Sequence, residues 1–170
     1  GVDTPRTGTV LLIETEAAFT PYTSLTERDR ARRAFRMEVA LPAARDLGAD
    51  DAVRVVVLAA KGKSFCAGGD LGWMRAQFDA DPQTRSREAA KLAHMLQALN
   101  TLPKPLIGRV HGNAFGGGIG LMSVCDVAVG AEGAQFALTE TRLGLIPATI
   151  GPYVAARMGE AHARRVFMSG

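Results

Sequence analysis

Apolar residues along this chain recur in two rhythms. Residues 10–16, 19–26, 53–60 and 106–110 are short runs rich in Val, Leu, Ile and Thr, the composition of strands. The third run, Val53-Arg54-Val55-Val56-Val57-Leu58-Ala59-Ala60, is almost continuously apolar, as a strand buried on both faces of a parallel sheet requires. The first two runs are joined by a tight connection and predict a hairpin or meander. Elsewhere the spacing is helical. Over 30–47 the residues Ala34, Met37, Leu41 and Ala44 keep one face, with Pro42 kinking or ending the helix. Over 84–99 the residues Ala89, Leu92, Ala93, Leu96 and Leu99 share a face opposite charged side chains. Shorter helices are predicted over 71–78, over 117–123, near Tyr153 and over 161–168. Short strands follow over 126–130 and 135–138. Strands and helices alternate, so the class is α/β with mainly parallel strands, and one domain over residues 1–170 accounts for the whole pattern.

Composition narrows the function classes without choosing one. The chain has 170 residues, 47% hydrophobic and 22% charged, which excludes a disordered chain or a disulfide scaffold. A net charge of +3 is mild, and basic residues concentrate only at Arg28, Arg30, Arg32, Arg33 and Arg36. That cluster reads as a solvated helix face or a site for an anionic ligand; nucleic acid is disfavoured because no aromatic residues interleave with it. Cys66 and Cys125 lack metal-ligand spacing and read as buried free thiols of a reducing compartment, so no metal is expected. No apolar run reaches the length of a membrane span, and residues 1–6 lack the apolar region of a secretory signal, which predicts a cytoplasmic protein with no membrane partner.

Candidate chemistry gathers at two glycine-rich turns. Each follows a predicted strand and leads into a predicted helix: Ser64-Phe65-Cys66-Ala67-Gly68-Gly69-Asp70 and His111-Gly112-Asn113-Ala114-Phe115-Gly116-Gly117-Gly118. Glycine lets a ligand approach the backbone, and a helix start leaves N–H donors unpaired. Two such donors aimed at one oxygen form an oxyanion hole, suited to a reaction through an enolate. A dinucleotide reading of the second turn fails on glycine spacing and on the lack of an acidic ribose partner. A phosphate-loop reading of Gly62-Lys63-Ser64 fails because no glycine stands at the upstream position that motif needs. His94 and His162 lie on predicted helices, and His111 reads as a structural hydrogen-bonder rather than a base. Cys66 adjoins the first turn, yet no base is identifiable for a thiol nucleophile. Asp70 opens a helix and reads as its cap. Glu140, at the edge of an apolar segment, has two open readings: a carboxylate paired to Arg142 or capping a helix, or a general acid/base with a raised pKa.

The ordered series Lys63-Ser64-Phe65-Cys66-Ala67-Gly68-Gly69-Asp70-Leu71, Pro103-Lys104-Pro105, Gly112-Asn113-Ala114-Phe115-Gly116-Gly117-Gly118, Cys125-Asp126 and Thr139-Glu140 resembles the enoyl-CoA hydratase/isomerase (crotonase) superfamily. In its wording from Leu138 to Tyr153 the chain is similar to bacterial methylglutaconyl-CoA hydratase-like proteins, which act on branched, carboxylated enoyl thioesters. The resemblance implies a crotonase-like core of ββα units wound in a spiral. It implies an acyl-CoA thioester substrate, with coenzyme A part of the substrate and no separate cofactor, and a homotrimer or dimer of trimers. It places the oxyanion hole at the N–H groups of Gly69 and Gly117 and the acid/base carboxylate at Glu140. It runs coenzyme A along Ser64, Cys66 and Ala67, with Arg28 and Lys63 near the phosphates. Hydration of the 2,3 double bond is the activity implied first; double-bond isomerisation by a single glutamate and non-catalytic acyl-CoA binding are the alternatives.

The chain departs from the family pattern in three places. The glutamate that two-carboxylate hydratases carry three residues after the middle glycine of the second turn is here Gly120. The usual Asn-Arg-Pro segment reads Glu27-Arg28-Asp29, and Arg33 stands where Asn precedes Ala-Phe. Finally, the chain stops at Gly170, where the family continues into a helical carboxy-terminal region that covers the acyl pocket and helps build the trimer, so either the chain is a fragment or that cover is absent.

Overall fold

The computed structural model describes residues 9–16 and 46–169. The strand expected over 19–26, nearly all of the helix expected over 30–47, and Arg28 lie outside the described residues. Strand β1 (Thr9–Glu16) pairs in parallel with β2 (Val53–Lys61), with Val10 opposite Val55 and Glu16 opposite Lys61. Strands β3 (Leu106–Val110) and β5 (Val127–Gly130) extend the sheet in the order β1-β2-β3-β5, and every pairing is parallel. Val53, Val56, Leu58, Ala59 and Ala60 of β2 are buried, which is why that strand reads as a continuous apolar run.

Parallel neighbours need crossovers, and here helices supply them. Between β2 and β3 run α1 (Leu71–Asp79) and α2 (Pro82–Asn100). Helix α2 begins two residues before the predicted start. The polar break at Asp79-Ala80-Asp81-Pro82 is itself the helix signal: the Asp81 carboxylate accepts from Gln83 N (2.9 Å) and Thr84 N (3.0 Å), and Pro82 takes the first turn. Met95, Leu96 and Leu99 of α2 are buried in the core with Leu58, Leu106 and Val110 of the sheet.

Between β3 and β5 the chain forms β4 (Ala114–Phe115) and α3 (Gly117–Ser123). After β5 come β6 (Phe136–Ala137), a 3-10 turn (Thr139–Leu143), α4 (Gly151–Met158) and α5 (Glu160–Ser169). Strand β4, which no apolar rhythm announces, pairs in parallel with β6 as a second small sheet, and Cys66 bridges to Ala114 beside it. Asp126, just before β5, closes the large sheet: its Oδ2 accepts from the backbone N–H of Leu106 at 2.7 Å. Both glycine turns therefore leave the carboxyl ends of adjacent parallel strands, the edge where open α/β sheets bind ligands. No helix among the described residues is long and apolar enough to cross a membrane.

Candidate active site

The two turns are joined to each other by backbone hydrogen bonds. Phe65 N and Cys66 N both donate to Asn113 O (2.9 and 3.2 Å), and Phe115 N donates back to Cys66 O (2.8 Å). His111 Nε2 lies 2.9 Å from Gly62 O, which makes this histidine a tie between the turns and gives Nε2 the proton. The approach is closest at two glycines. A Cβ on Gly112 would stand 2.6 Å from Lys63 O, and one on Gly118 would stand 2.8 Å from Cys66 O. Only hydrogen fits at these junctions.

Glycine is required for a second reason at two positions. Gly68 has φ +107° and Gly116 has φ +50°, conformations that side chains resist. Gly116 precedes α3, and its N–H donates to Ala137 O at 3.0 Å, so the second turn is fastened to β6. Three residues beyond Ala137 lies Glu140. A Cβ built on Gly116 would stand 3.0 Å from Glu140 Oε1 and 3.6 Å from Gly68 Cα, so the carboxylate meets the second turn where that turn meets the first.

The Glu140 carboxyl is half-buried. Its Oε2 is enclosed and has no hydrogen-bond partner among the described residues. Burial pushes the carboxyl pKa up from its ordinary value, against a smaller opposing pull from its own backbone N–H. Among the described residues this oxygen neither caps a helix nor is bonded.

Other predicted residues fall as follows. Asp70 caps α1, with its Oδ1 accepting from Trp73 N at 2.6 Å. The N–H groups of Gly69 and Gly117 have no acceptor among the described residues, and a Cβ on Gly117 would meet nothing within 4 Å, so that position faces open space. Lys63 is exposed; Ser64 and Ala67 are half-buried on the first turn. Cys66 needs correction as a ligand-contacting residue. It is 2% exposed, and its backbone N–H and C=O are both engaged in joining the turns, so it underlies the site and offers no free polar group to a ligand. Burial also raises its thiol pKa, and that of Cys125 is pushed up to about 12, so neither thiol is a nucleophile at neutral pH. No group of three His, Cys, Asp or Glu residues that could hold a metal occurs among the described residues.

Two features went unread in the sequence. Met74 of α1 covers Gly69, with its Sδ 3.3 Å from where a Cβ would be. Ile150, which precedes α4, sits over Gly120: a Cβ there would stand 2.8 Å from Ile150 Cβ and overlap Ile150 Cγ2. The second contact spans 30 residues of sequence, so no local pattern could signal it.

Comparison with known proteins agrees with this arrangement. A family model described as enoyl-CoA hydratase/isomerase matches residues 35–170. The 2,3-dehydroadipyl-CoA hydratase of Escherichia coli is 34% identical over 147 residues, covering 84% of this chain and 56% of that protein. An enoyl-CoA hydratase of Alternaria alternata is 34% identical over 138 residues, covering 77% of this chain and 44% of its own length. The chain spans about half the length of the curated relatives it matches. Among solved structures, an enoyl-CoA hydratase/isomerase from Marinobacter aquaeolei superposes with a TM-score of 0.79 at 29% identity, covering 98% of this chain and 62% of that one. The enoyl-CoA hydratase of Mycobacterium smegmatis does so with a TM-score of 0.74 at 36% identity, covering 79% and 51%. With the parallel sheet, the joined glycine turns and these likenesses in agreement, the α/β core has the crotonase fold, and the chain belongs to the enoyl-CoA hydratase/isomerase family.

Proposed function

We propose that this chain carries the catalytic core of an enzyme that takes an acyl-CoA thioester through an enolate and adds water across its 2,3 double bond. The observation that carries the reading is the enclosed, unpartnered Oε2 of Glu140, a carboxylate whose other oxygen, Oε1, lies beside Gly116, the residue before the free N–H of Gly117. Gly69 and Gly117 donate to the thioester oxygen as negative charge develops there; one such donor contributes about 3 kcal/mol to the barrier in comparable sites. Polarisation makes C3 electrophilic. Glu140 takes a proton from water as its oxygen bonds to C3, the π pair moves through C2 to the carbonyl oxygen, and the carboxyl then returns a proton to C2. A pKa above the ordinary carboxylate range suits that second step, because the acid must be weak enough to form and strong enough to give the proton back. Ser64 and Ala67 line the coenzyme A path, and the exposed Lys63, with Arg28, meets the phosphates.

A second reading is favoured by a specific observation. The position on α3 that would carry a second carboxylate is Gly120, and Ile150 fills the space above it. A single carboxylate is sufficient to move a double bond by carrying one proton from C2 to C4. Crotonyl-CoA, methylglutaconyl-CoA and a 3-enoyl-CoA, followed by loss or appearance of the conjugated double bond, separate the two. Turnover of either 2-enoyl thioester that vanishes in Glu140→Gln supports hydration; turnover of the 3-enoyl thioester alone replaces hydration with isomerisation. Binding of coenzyme A thioesters with no turnover of any of them refutes both.

A further inference from the structure

The geometry points to Asn113 as a positioning residue that sets Glu140 in register with the two glycine turns, an inference that rests on the enolate reading of Glu140 above. Its two carbonyl oxygens bind different segments of the chain. The backbone oxygen accepts from Phe65 N (2.9 Å) and Cys66 N (3.2 Å) of the first turn. The side-chain Oδ1 accepts from Gln135 N at 2.9 Å, and the carbonyl of the same Gln135 accepts from Ala114 N at 3.0 Å. One half-buried residue of the second turn therefore holds both the first turn and the approach to β6.

Those three segments share one register. Cys66 bridges Ala114 in parallel, and Ala114 stands opposite Phe136, so the chain passes three times in the same direction through one short ladder. Each passage then leads to a group of the site: Gly69 lies three residues beyond Cys66, Gly117 three beyond Ala114 and Glu140 four beyond Phe136. A slip of one residue in such a ladder moves everything beyond it by about 3.3 Å. Misplacement on the order of 1 Å at a reacting centre already costs about 100-fold in rate. The two turns are fixed to each other by backbone bonds that no substitution at position 113 removes. The placing of Glu140 draws in addition on a side chain: β4 and β6 are two residues each, a length with few rungs of its own, and Asn113 Oδ1 adds a bond at the residue where β6 begins.

The test changes the acceptor and keeps the shape. Asn113→Leu has nearly the outline of asparagine and no acceptor, whereas Asn113→Asp keeps an oxygen for Gln135 N. Neither removes the backbone oxygen that holds Phe65 and Cys66. In the full chain, kcat is measured on whichever of crotonyl-CoA and a 3-enoyl-CoA the wild type turns over, together with the Kd for coenzyme A. Asn113→Leu should lower kcat at least tenfold while Kd changes less than threefold, and Asn113→Asp should stay within threefold of wild type in both. A leucine variant less than tenfold slower, an aspartate variant as slow as the leucine one, or equal losses in kcat and Kd overturns the inference.

Amide hydrogen exchange reads the same bond without catalysis. In Asn113→Leu the amides of Ala114 and Gly116, which donate to Gln135 O and Ala137 O, should exchange at least tenfold faster, while that of Phe115, which donates to Cys66 O, keeps its wild-type rate. Unchanged exchange at Ala114 and Gly116, or equal acceleration at all three, overturns the inference. If Asn113→Leu does not fold by circular dichroism, Asn113→Ala takes its place in both measurements. Wild-type protein that turns over no thioester refutes the enolate reading, and the exchange pattern then decides by itself whether Asn113 sets the register.

Discussion

Gly117 and Gly118 are neighbours in one turn of α3, yet a methyl group added to each should have opposite effects. At Gly118 the added Cβ stands 2.8 Å from Cys66 O, 2.9 Å from Cys66 Cβ and 3.2 Å from Ala114 Cβ. None of these can move cheaply: Cys66 O is held by Phe115 N at 2.8 Å, and Ala114 is fully buried. Relief needs the two glycine turns to part by several tenths of an ångström, and overpacking of this kind costs about 1–3 kcal/mol. For a chain of this size that lowers the unfolding midpoint by roughly 2–4 °C per kcal/mol. The same displacement carries Gly69 away from Gly117. Misplacement on the order of 1 Å at a reacting centre costs about 100-fold in rate, so turnover of Gly118→Ala should fall well beyond what its loss of stability explains.

Gly117→Ala meets nothing within 4 Å, and its backbone is not in the left-handed region. The protein should keep its midpoint or gain slightly, since alanine is favoured over glycine in a helix by up to about 1 kcal/mol. The proposed function puts the thioester against this N–H, so the added methyl should raise KM for crotonyl-CoA or a 3-enoyl-CoA. Thermal unfolding and steady-state kinetics on the two variants and the wild type give both quantities. Equal destabilisation by the two substitutions, or a Gly118→Ala protein as stable and active as wild type, would refute the account of the joined turns.

Gly117→Pro removes one of the two proposed oxyanion donors at a helix position where proline is tolerated, so kcat should fall about 100- to 1,000-fold while the Kd for coenzyme A changes little; equal losses in both would mean the fold was disrupted. Glu140→Gln should abolish turnover and stabilise the protein at neutral pH. Burial raises the folded-state pKa of Glu140 above its unfolded value, so its favourable contribution is complete below the unfolded pKa and is lost as pH rises through the folded one. Urea midpoints of wild type and variant should therefore converge toward pH 4 and separate by pH 7.5, and a gap that widens on acidification would contradict the sign. The wild-type kcat/KM should rise with an apparent pKa above the ordinary glutamate value of about 4.3. Asp126→Ala leaves the N–H of Leu106, a residue 1% exposed, without its acceptor, and should lower stability by about 1–3 kcal/mol in urea unfolding with little effect on KM.

What the sequence made legible was what short-range physics controls. Strand β2 announced itself because both its faces are buried, and α2 because Leu92, Ala93, Leu96 and Leu99 recur at helical spacing, although its start at Asp81-Pro82 and the burial of Met95 were not read. The glycine turns were legible as places of backbone approach, and Glu140 as a carboxylate in apolar surroundings. Strand β4 was not, because two residues carry no periodicity and their pairing with β6 is fixed by the tertiary fold. Cys66 was misplaced on the ligand's side of the turn: the sequence shows a residue beside two glycines but not that Asn113 and Phe115 engage its backbone. Ile150 was invisible for the same reason, since Gly120 shows only that a side chain is missing and not what fills the space.

The cost of the site and its chemistry are one physical fact. An enclosed carboxylate oxygen without a partner lacks the hydrogen bonds it would make in water, a deficit on the order of 1–3 kcal/mol against a total stability of about 5–15 kcal/mol. The surrounding structure is suited to hold it. Ala137 O fixes Gly116, and Leu145 N donates to Glu140 O at 3.0 Å, so backbone bonds beside the second sheet hold the turn that carries the carboxylate. The deficit can be relieved in only two ways, by taking up a proton or by meeting a ligand that brings one. A carboxylate held in that condition favours taking up a proton, which is the step the proposed function asks of it.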